Sequence, residues 1–264
     1  LEHYRAIVRA LARLAGTHRS GKLGEEVDRH FPFAASTLIA TPPNPCAAPQ
    51  IQEKVMRYAE FAANYPKLLP ESIRSAEFAM RLAEEAPRLL AQQNRIIKLL
   101  TADPQYIALC HWNANIDNAW FVRTSTGLEC GLLDWGHVSQ MNIGMSLWGC
   151  LSGAETGLWD DHLEELLALY TTEFTHTGQL ALDTGELKTH LTLYAVLMGL
   201  NWLLDVPPYL VKLFPDLSGF EDRFDERLRR HEAARTQLQM MSVFLNLWQT
   251  SDVAGMIQTL EDSL

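Results

Sequence analysis

One stretch of this chain breaks an otherwise helical pattern: Tyr106 to Gly136, reading YIALCHWNANIDNAWFVRTSTGLECGLLDWG. An apolar run, Tyr106 to Cys110, enters a polar loop, His111 to Asn118, and leaves it through Trp120, Phe121 and Val122. That is strand, loop, strand. The polar Thr124-Ser-Thr-Gly127 supplies a hairpin turn, and a second strand, Cys130 to Leu133, delivers Asp134 ahead of Trp135 and Gly136. With so few strands, the expected fold class is α+β and mostly helical, with one small β element carrying the polar loop.

The rest of the chain reads as helix. Tyr4, Ile7, Val8, Leu11 and Leu14 fall at helical spacing in the first segment. A loop rich in proline, Thr41 to Pro49, then precedes a helix from about Ile51 to Ala63 that ends before Pro66. A further helix runs from about Glu71 to Leu100 and is expected to bend or divide at Pro87. Beyond Asp134 helices are expected at roughly 142–151, 159–174, 184–204, 220–247 and 251–260, the third of them closed by Asp205, Pro207 and Pro208. At 264 residues the chain can bury a full core.

The two strands carry polar side chains to one edge. Phosphoryl transfer needs such an arrangement, because one loop must orient the acceptor hydroxyl while an Asn and an Asp hold the Mg²⁺ that neutralises the phosphates. Asn118 and Asp134 fit those metal-holding roles.

On these residues the chain resembles the aminoglycoside phosphotransferase and choline kinase-like superfamily, relatives of the protein kinases. Its catalytic loop reads H-G-D-x-x-x-x-N and is followed by a strand ending in D-W or D-F. The resemblance places His111 on the loop histidine, Asn118 on the metal-binding asparagine, Phe121 on the apolar residue of the following strand, and Asp134 on the metal-binding aspartate. It implies a protein-kinase-like carboxy-terminal lobe spanning residues 1–264, Mg²⁺ and ATP as cofactors, and phosphoryl transfer to the hydroxyl of a small-molecule acceptor. The family's amino-terminal ATP-binding lobe, with its Gly-rich loop and β-strand lysine, has no counterpart among these residues, so the chain is expected to be the large lobe alone.

Two positions depart from the pattern. Asn113 stands where the family has its catalytic aspartate, and an amide accepts a hydrogen bond without taking a proton at neutral pH. General-base assistance is worth roughly 10²- to 10⁴-fold in rate. The expectation is therefore either an impaired phosphotransferase or an inactive pseudokinase that binds a nucleotide, small molecule or protein. Asp117 is the one nearby carboxylate, and Ser146 stands where the family often has an aspartate that buttresses the loop.

Formal net charge is −10. This argues against nucleic acid, which is bound by concentrated Lys and Arg, and suits a cationic acceptor as well as plain solubility. The four cysteines, Cys46, Cys110, Cys130 and Cys150, form no C-x-x-C pair and read as buried thiols of a reducing compartment. No secretory signal is legible, and the most apolar run, Leu191 to Leu204, is too short to span a bilayer. A cytoplasmic protein without membrane partners is expected. Gly16 to Lys22 imitates a P-loop, but Leu23 replaces the Mg²⁺-binding Ser or Thr and a helix precedes it. Ser146 in GMSLWG lacks the spacing of a nucleophile elbow, and His162, His176 and His190 lack the spacing of a zinc site.

Overall fold

The computed structural model describes residues 1–34, 48–125 and 127–262. The chain is α+β and mostly helical, with two small antiparallel sheets. Its helices are α1 (Glu2–Arg19), α2 (Glu25–His30), α3 (Ala48–Asn64), α4 (Ala76–Ala91) and α5 (Gln93–Ala102). Four strands follow: β1 (Ile107–His111), β2 (Ala119–Thr124), β3 (Gly127–Leu132) and β4 (Val138–Asn142). After them come α6 (Ile143–Leu151), α7 (Thr156–Gly178), α8 (Thr184–Trp202) and α9 (Val206–Leu213), then α10 (Glu226–Arg229), α11 (Glu232–Thr250) and α12 (Val253–Asp262). Two compact units make up the chain, Leu1–Ile39 with Ile97–Ala195, and Ala40–Ile96 with Val196–Leu264.

Among the described residues, the first unit holds all four strands. Strand β1 is buried throughout and pairs antiparallel with β4, from Ile107 opposite Asn142 to His111 opposite Val138. On its other edge the Leu109 N–H donates to Nδ1 of His18 at 3.1 Å, so a buried strand group that lacks a ladder partner is satisfied by a side chain. Strands β2 and β3 form a separate hairpin, Thr124 opposite Gly127 and Ala119 opposite Leu132. Gly127 has φ of 131°, a value that glycine reaches at little cost.

Helix α1 buries Ile7, Val8, Leu11 and Ala15. Gly16, the first residue of the P-loop imitation, lies inside this helix, where a Cβ would come within 2.9 Å of the Phe174 carbonyl oxygen on α7. It is a helix-packing glycine. Helix α6 is buried at all nine positions, as expected of a helix apolar on every side.

Asn142 joins three elements at the start of α6. Its Oδ1 caps the helix by accepting from the Gly144 N–H at 2.9 Å, and its Nδ2 donates to the Leu100 carbonyl and to Nδ1 of His190, both at 3.1 Å. His190 is therefore held as an acceptor, in its neutral form. Burial lowers its pKa below the ordinary histidine value, against the opposing pull of Glu186 and Asp103. The unfolded chain takes up this proton near pH 6.5 and the folded one only at lower pH, so stability present above pH 6.5 declines as pH falls below it. Urea unfolding is expected to weaken by at most about 1.4 kcal/mol per pH unit from this one proton, and His190→Gln is expected to remove that slope. An unchanged slope in the variant sinks the assignment.

In the second unit α3 and α4 pack together, and Pro49 falls in the first turn of α3, where a missing N–H costs nothing. Residues 41–47 of the proline-rich loop lie outside the described residues. Pro87 does not divide its helix. Helix α4 continues through it to Ala91, and the break comes at Gln92, which caps α4 and accepts from Arg95 and Ile96. The carbonyl that Pro87 leaves without a donor is that of Ala83, an exposed residue that water can serve. Pro207 and Pro208 likewise start a helix, α9, in the positions where proline is preorganised. The segment expected as one helix over 220–247 is an irregular stretch, the short α10 and then α11, because Asp225 and His231 each cap a new start. Glu85, buried in α4, accepts from the Trp248 indole at 2.7 Å, and Gly199 lies against the Phe244 ring.

Among the described residues, no helix is long and apolar enough to cross a membrane. Cys110 and Cys150 are buried free thiols and Cys130 is half-buried, and burial pushes the Cys110 thiol up to about 12 and that of Cys130 to about 11.

Candidate functional site

The candidate site residues His111, Asn113, Asn118 and Asp134 all fall in the first unit, while Cys46 lies outside the described residues. His111 ends β1, Asn113 and Asn115 occupy the loop, Asn118 closes a 3₁₀ turn (Ile116–Asn118), and Asp134 follows β3. The loop strand and the aspartate strand belong to different sheets, since β1 pairs with β4 and β2 with β3. What joins them is His111. Its ring is fully buried and Nε2–H donates to the Leu133 carbonyl at 2.8 Å, which fixes the tautomer and leaves buried Nδ1 without a partner.

The loop is organised by its own amides. Asn115 Oδ1 accepts from the N–H groups of Asp117 and Asn118 at 3.0 and 3.1 Å, capping the 3₁₀ turn as Asn does in tight turns. Asn115 Nδ2 donates to Oδ1 of Asn113 at 2.9 Å. Asn118 Nδ2 donates to the backbone carbonyl of Asn113, also at 2.9 Å. This last bond orients the Asn118 amide, because its donor group is turned back onto the loop, and Oδ1 is the side-chain atom that carries lone pairs.

Asp134 is brought to Asn118 by the hairpin. The Leu133 N–H donates to the Asn118 carbonyl at 2.8 Å, extending the β2–β3 ladder one step beyond Ala119 and Leu132, so the residue beside Asn118's partner is Asp134. Its backbone is left-handed, φ 54° and ψ 67°, and it is exposed. Such a conformation is uncommon outside glycine and is tolerated by Asp and Asn. It turns the chain sharply out of β3 into the short turn Trp135–His137 and then β4.

Helix α6 braces the loop from behind. Ser146, buried, donates through Oγ to the His111 carbonyl at 3.1 Å. Gly149 sits so close to Trp112 that a Cβ there would lie 1.5 Å from the Trp112 carbonyl oxygen. The Trp112 indole N–H donates to the hydroxyl of buried Tyr194 at 2.9 Å. Rings also cross between loop and turn: His111 meets Trp135 at 4.9 Å and Trp112 meets His137 at 6.2 Å, both edge to face. Tyr194 and His137 escape a reading of the sequence. Tyr194 lies in the apolar run of α8 and looks like any core aromatic, and His137 carries no spacing signal.

The remaining candidates are placed elsewhere. His162 pairs with Glu165 at 3.4 Å, and His190 serves Asn142. Phe121 packs edge-on to His3 at 4.7 Å. Asp117 is exposed, and its N–H is engaged by Asn115. Among the described residues, no group of three or more His, Cys, Asp or Glu side chains is placed to hold a metal ion. No family model matches this chain, and no curated protein matches it.

Proposed function

We propose that this chain is the large lobe of an aminoglycoside phosphotransferase or choline kinase-like protein, a phosphotransferase of ATP and Mg²⁺ acting on a small-molecule hydroxyl, with its rate reduced by Asn113. The observation that carries the reading is the pair of bonds at Asn118: Nδ2 turned onto the Asn113 carbonyl, which leaves Oδ1 as the side chain's lone-pair atom, and the main-chain carbonyl bound by Leu133 next to Asp134. One amide oxygen and one exposed carboxylate suit Mg²⁺, which takes oxygen ligands from one or two protein groups and leaves the rest to water and phosphate. Bound there, Mg²⁺ supplies neutralisation of phosphate charge. The chain's own residues do the positioning. His111 ties the loop to the aspartate strand through Leu133, Asn115 shapes the turn, and Ser146 holds the His111 carbonyl.

A catalytically inactive pseudokinase is favoured by one observation: the side chain at the catalytic position is the amide of Asn113, whose Oδ1 accepts from Asn115. Neither the oxygen nor the nitrogen of an amide takes a hydroxyl's proton at neutral pH. The net charge of −10 suits a cationic acceptor in either reading.

The test is thermal unfolding of the complete protein with ATP, in Mg²⁺ and in EDTA. At a hundred times the dissociation constant a ligand of the folded state contributes about 2.7 kcal/mol, and that increment is expected in Mg²⁺ and to be lost in Asp134→Asn, a substitution that keeps the left-handed backbone accessible. A wild-type protein indifferent to Mg²⁺·ATP, or a variant stabilised as strongly as wild type, removes the proposal.

A further inference from the structure

We propose that Trp112, anchored by Tyr194, is a positioning residue that sets the loop bearing Asn118 against the turn bearing Asp134. Its consequence for ligand binding rests on the reading above, while the positioning itself rests on geometry alone.

Trp112 immediately precedes Asn113, whose carbonyl orients the Asn118 amide, so a displacement of Trp112 is passed to Asn118 through a single bond. Three groups hold it. Its main-chain carbonyl abuts α6 at Gly149, its indole N–H donates to Tyr194, and its ring meets that of His137 on the far side of Asp134. The neighbouring pair, His111 with Trp135, repeats the crossing one residue earlier in the loop. Two consecutive loop residues thus contact two residues just beyond Asp134. Of the two, His111 is buried and bound to Leu133, whereas Trp112 is only half-buried and owes its ring orientation to a single directional bond. Tyr194 is fully buried, so that acceptor cannot follow the indole if it swings outward.

A merely structural Tyr194 predicts something different. Losing one buried hydrogen bond then lowers stability everywhere and leaves the loop as it was. Amide hydrogen exchange in Tyr194→Phe and Trp112→Phe separates the two. The Asp117 and Asn118 amides, which donate to Asn115, are the reporters, and amides in the middle of α7 are the reference. Loop exchange is expected to quicken about tenfold in each variant, the size of one lost hydrogen bond, with α7 unchanged and no further gain in the double variant. The Mg²⁺·ATP concentration giving half-maximal stabilisation is expected to rise several-fold alongside.

Loop amides exchanging at the wild-type rate, or quickening together with α7, overturn the proposal. Should Tyr194→Phe fail to fold, Trp112→Phe decides alone, since it alters the half-buried donor and spares the core. If wild type ignores Mg²⁺·ATP, the functional reading falls and the exchange arm still judges the positioning.

Discussion

Gly149→Ala is expected to destabilise the protein by about 3 kcal/mol or more, at the upper end of what overpacking costs, or to prevent folding. The added Cβ would lie 1.5 Å from the Trp112 carbonyl oxygen and 2.7 Å from its carbon, far inside any real contact. Both partners are main chain, so no rotamer change relieves the overlap. Either α6, buried at every position, or the residue preceding Asn113 must move. Gly153→Ala is the control, because a Cβ there meets nothing within 4 Å. Urea midpoints of the two variants beside wild type settle the matter, and a Gly149→Ala protein within about 0.5 kcal/mol of wild type, the range of ordinary surface substitutions, contradicts the close approach of α6 to the loop.

The second large effect concerns chemistry. Asn113→Asp is expected to raise phosphoryl transfer from ATP to a responsive amine or sugar alcohol by about 10²- to 10⁴-fold, the usual worth of a placed general base. The substitution is nearly isosteric and keeps an oxygen to accept from Asn115 Nδ2 at the 2.9 Å now observed. The other oxygen replaces a pair of hydrogens with lone pairs, which is what an acceptor hydroxyl must meet. Measured over a panel of cationic and neutral acceptors, turnover that appears only in the variant identifies the wild type as a pseudokinase. Slow wild-type turnover that the variant accelerates identifies an impaired enzyme. A variant no faster than wild type removes position 113 from the reaction.

The loop and hairpin are legible in the sequence because their signals are local. Apolar residues bracket the polar run and Thr124 to Gly127 is turn chemistry; β2 appears within two residues of its expected bounds, while β3 begins at Gly127, three residues ahead of the expected Cys130. Strand β4 is not, since Val-Ser-Gln-Met-Asn has little periodicity and becomes a strand only because β1 offers it a partner. Proline signals are legible in part: Pro207 and Pro208 mark the close of one helix as expected and also begin the next, whereas the helix expected to bend or divide at Pro87 runs through it and breaks at Gln92. At the site, the residues with lone pairs can be picked out, but not their joining: the ring of His111 bridges two sheets, and nothing in the order of residues says that Leu133 is its acceptor.

The left-handed turn at Asp134 ties two properties to one position. The residues that reach this backbone readily are Gly, Asn, His and Asp, and only the last is an anion at neutral pH. A lineage carrying this fold can abandon charge here and keep the bend, by drifting to Gly or Asn, or it can keep charge as Glu and strain the bend. Retaining both leaves aspartate as the sole choice, which makes the identity of this one residue a compact readout, in any descendant, of whether the corner keeps an anion or merely a change of direction.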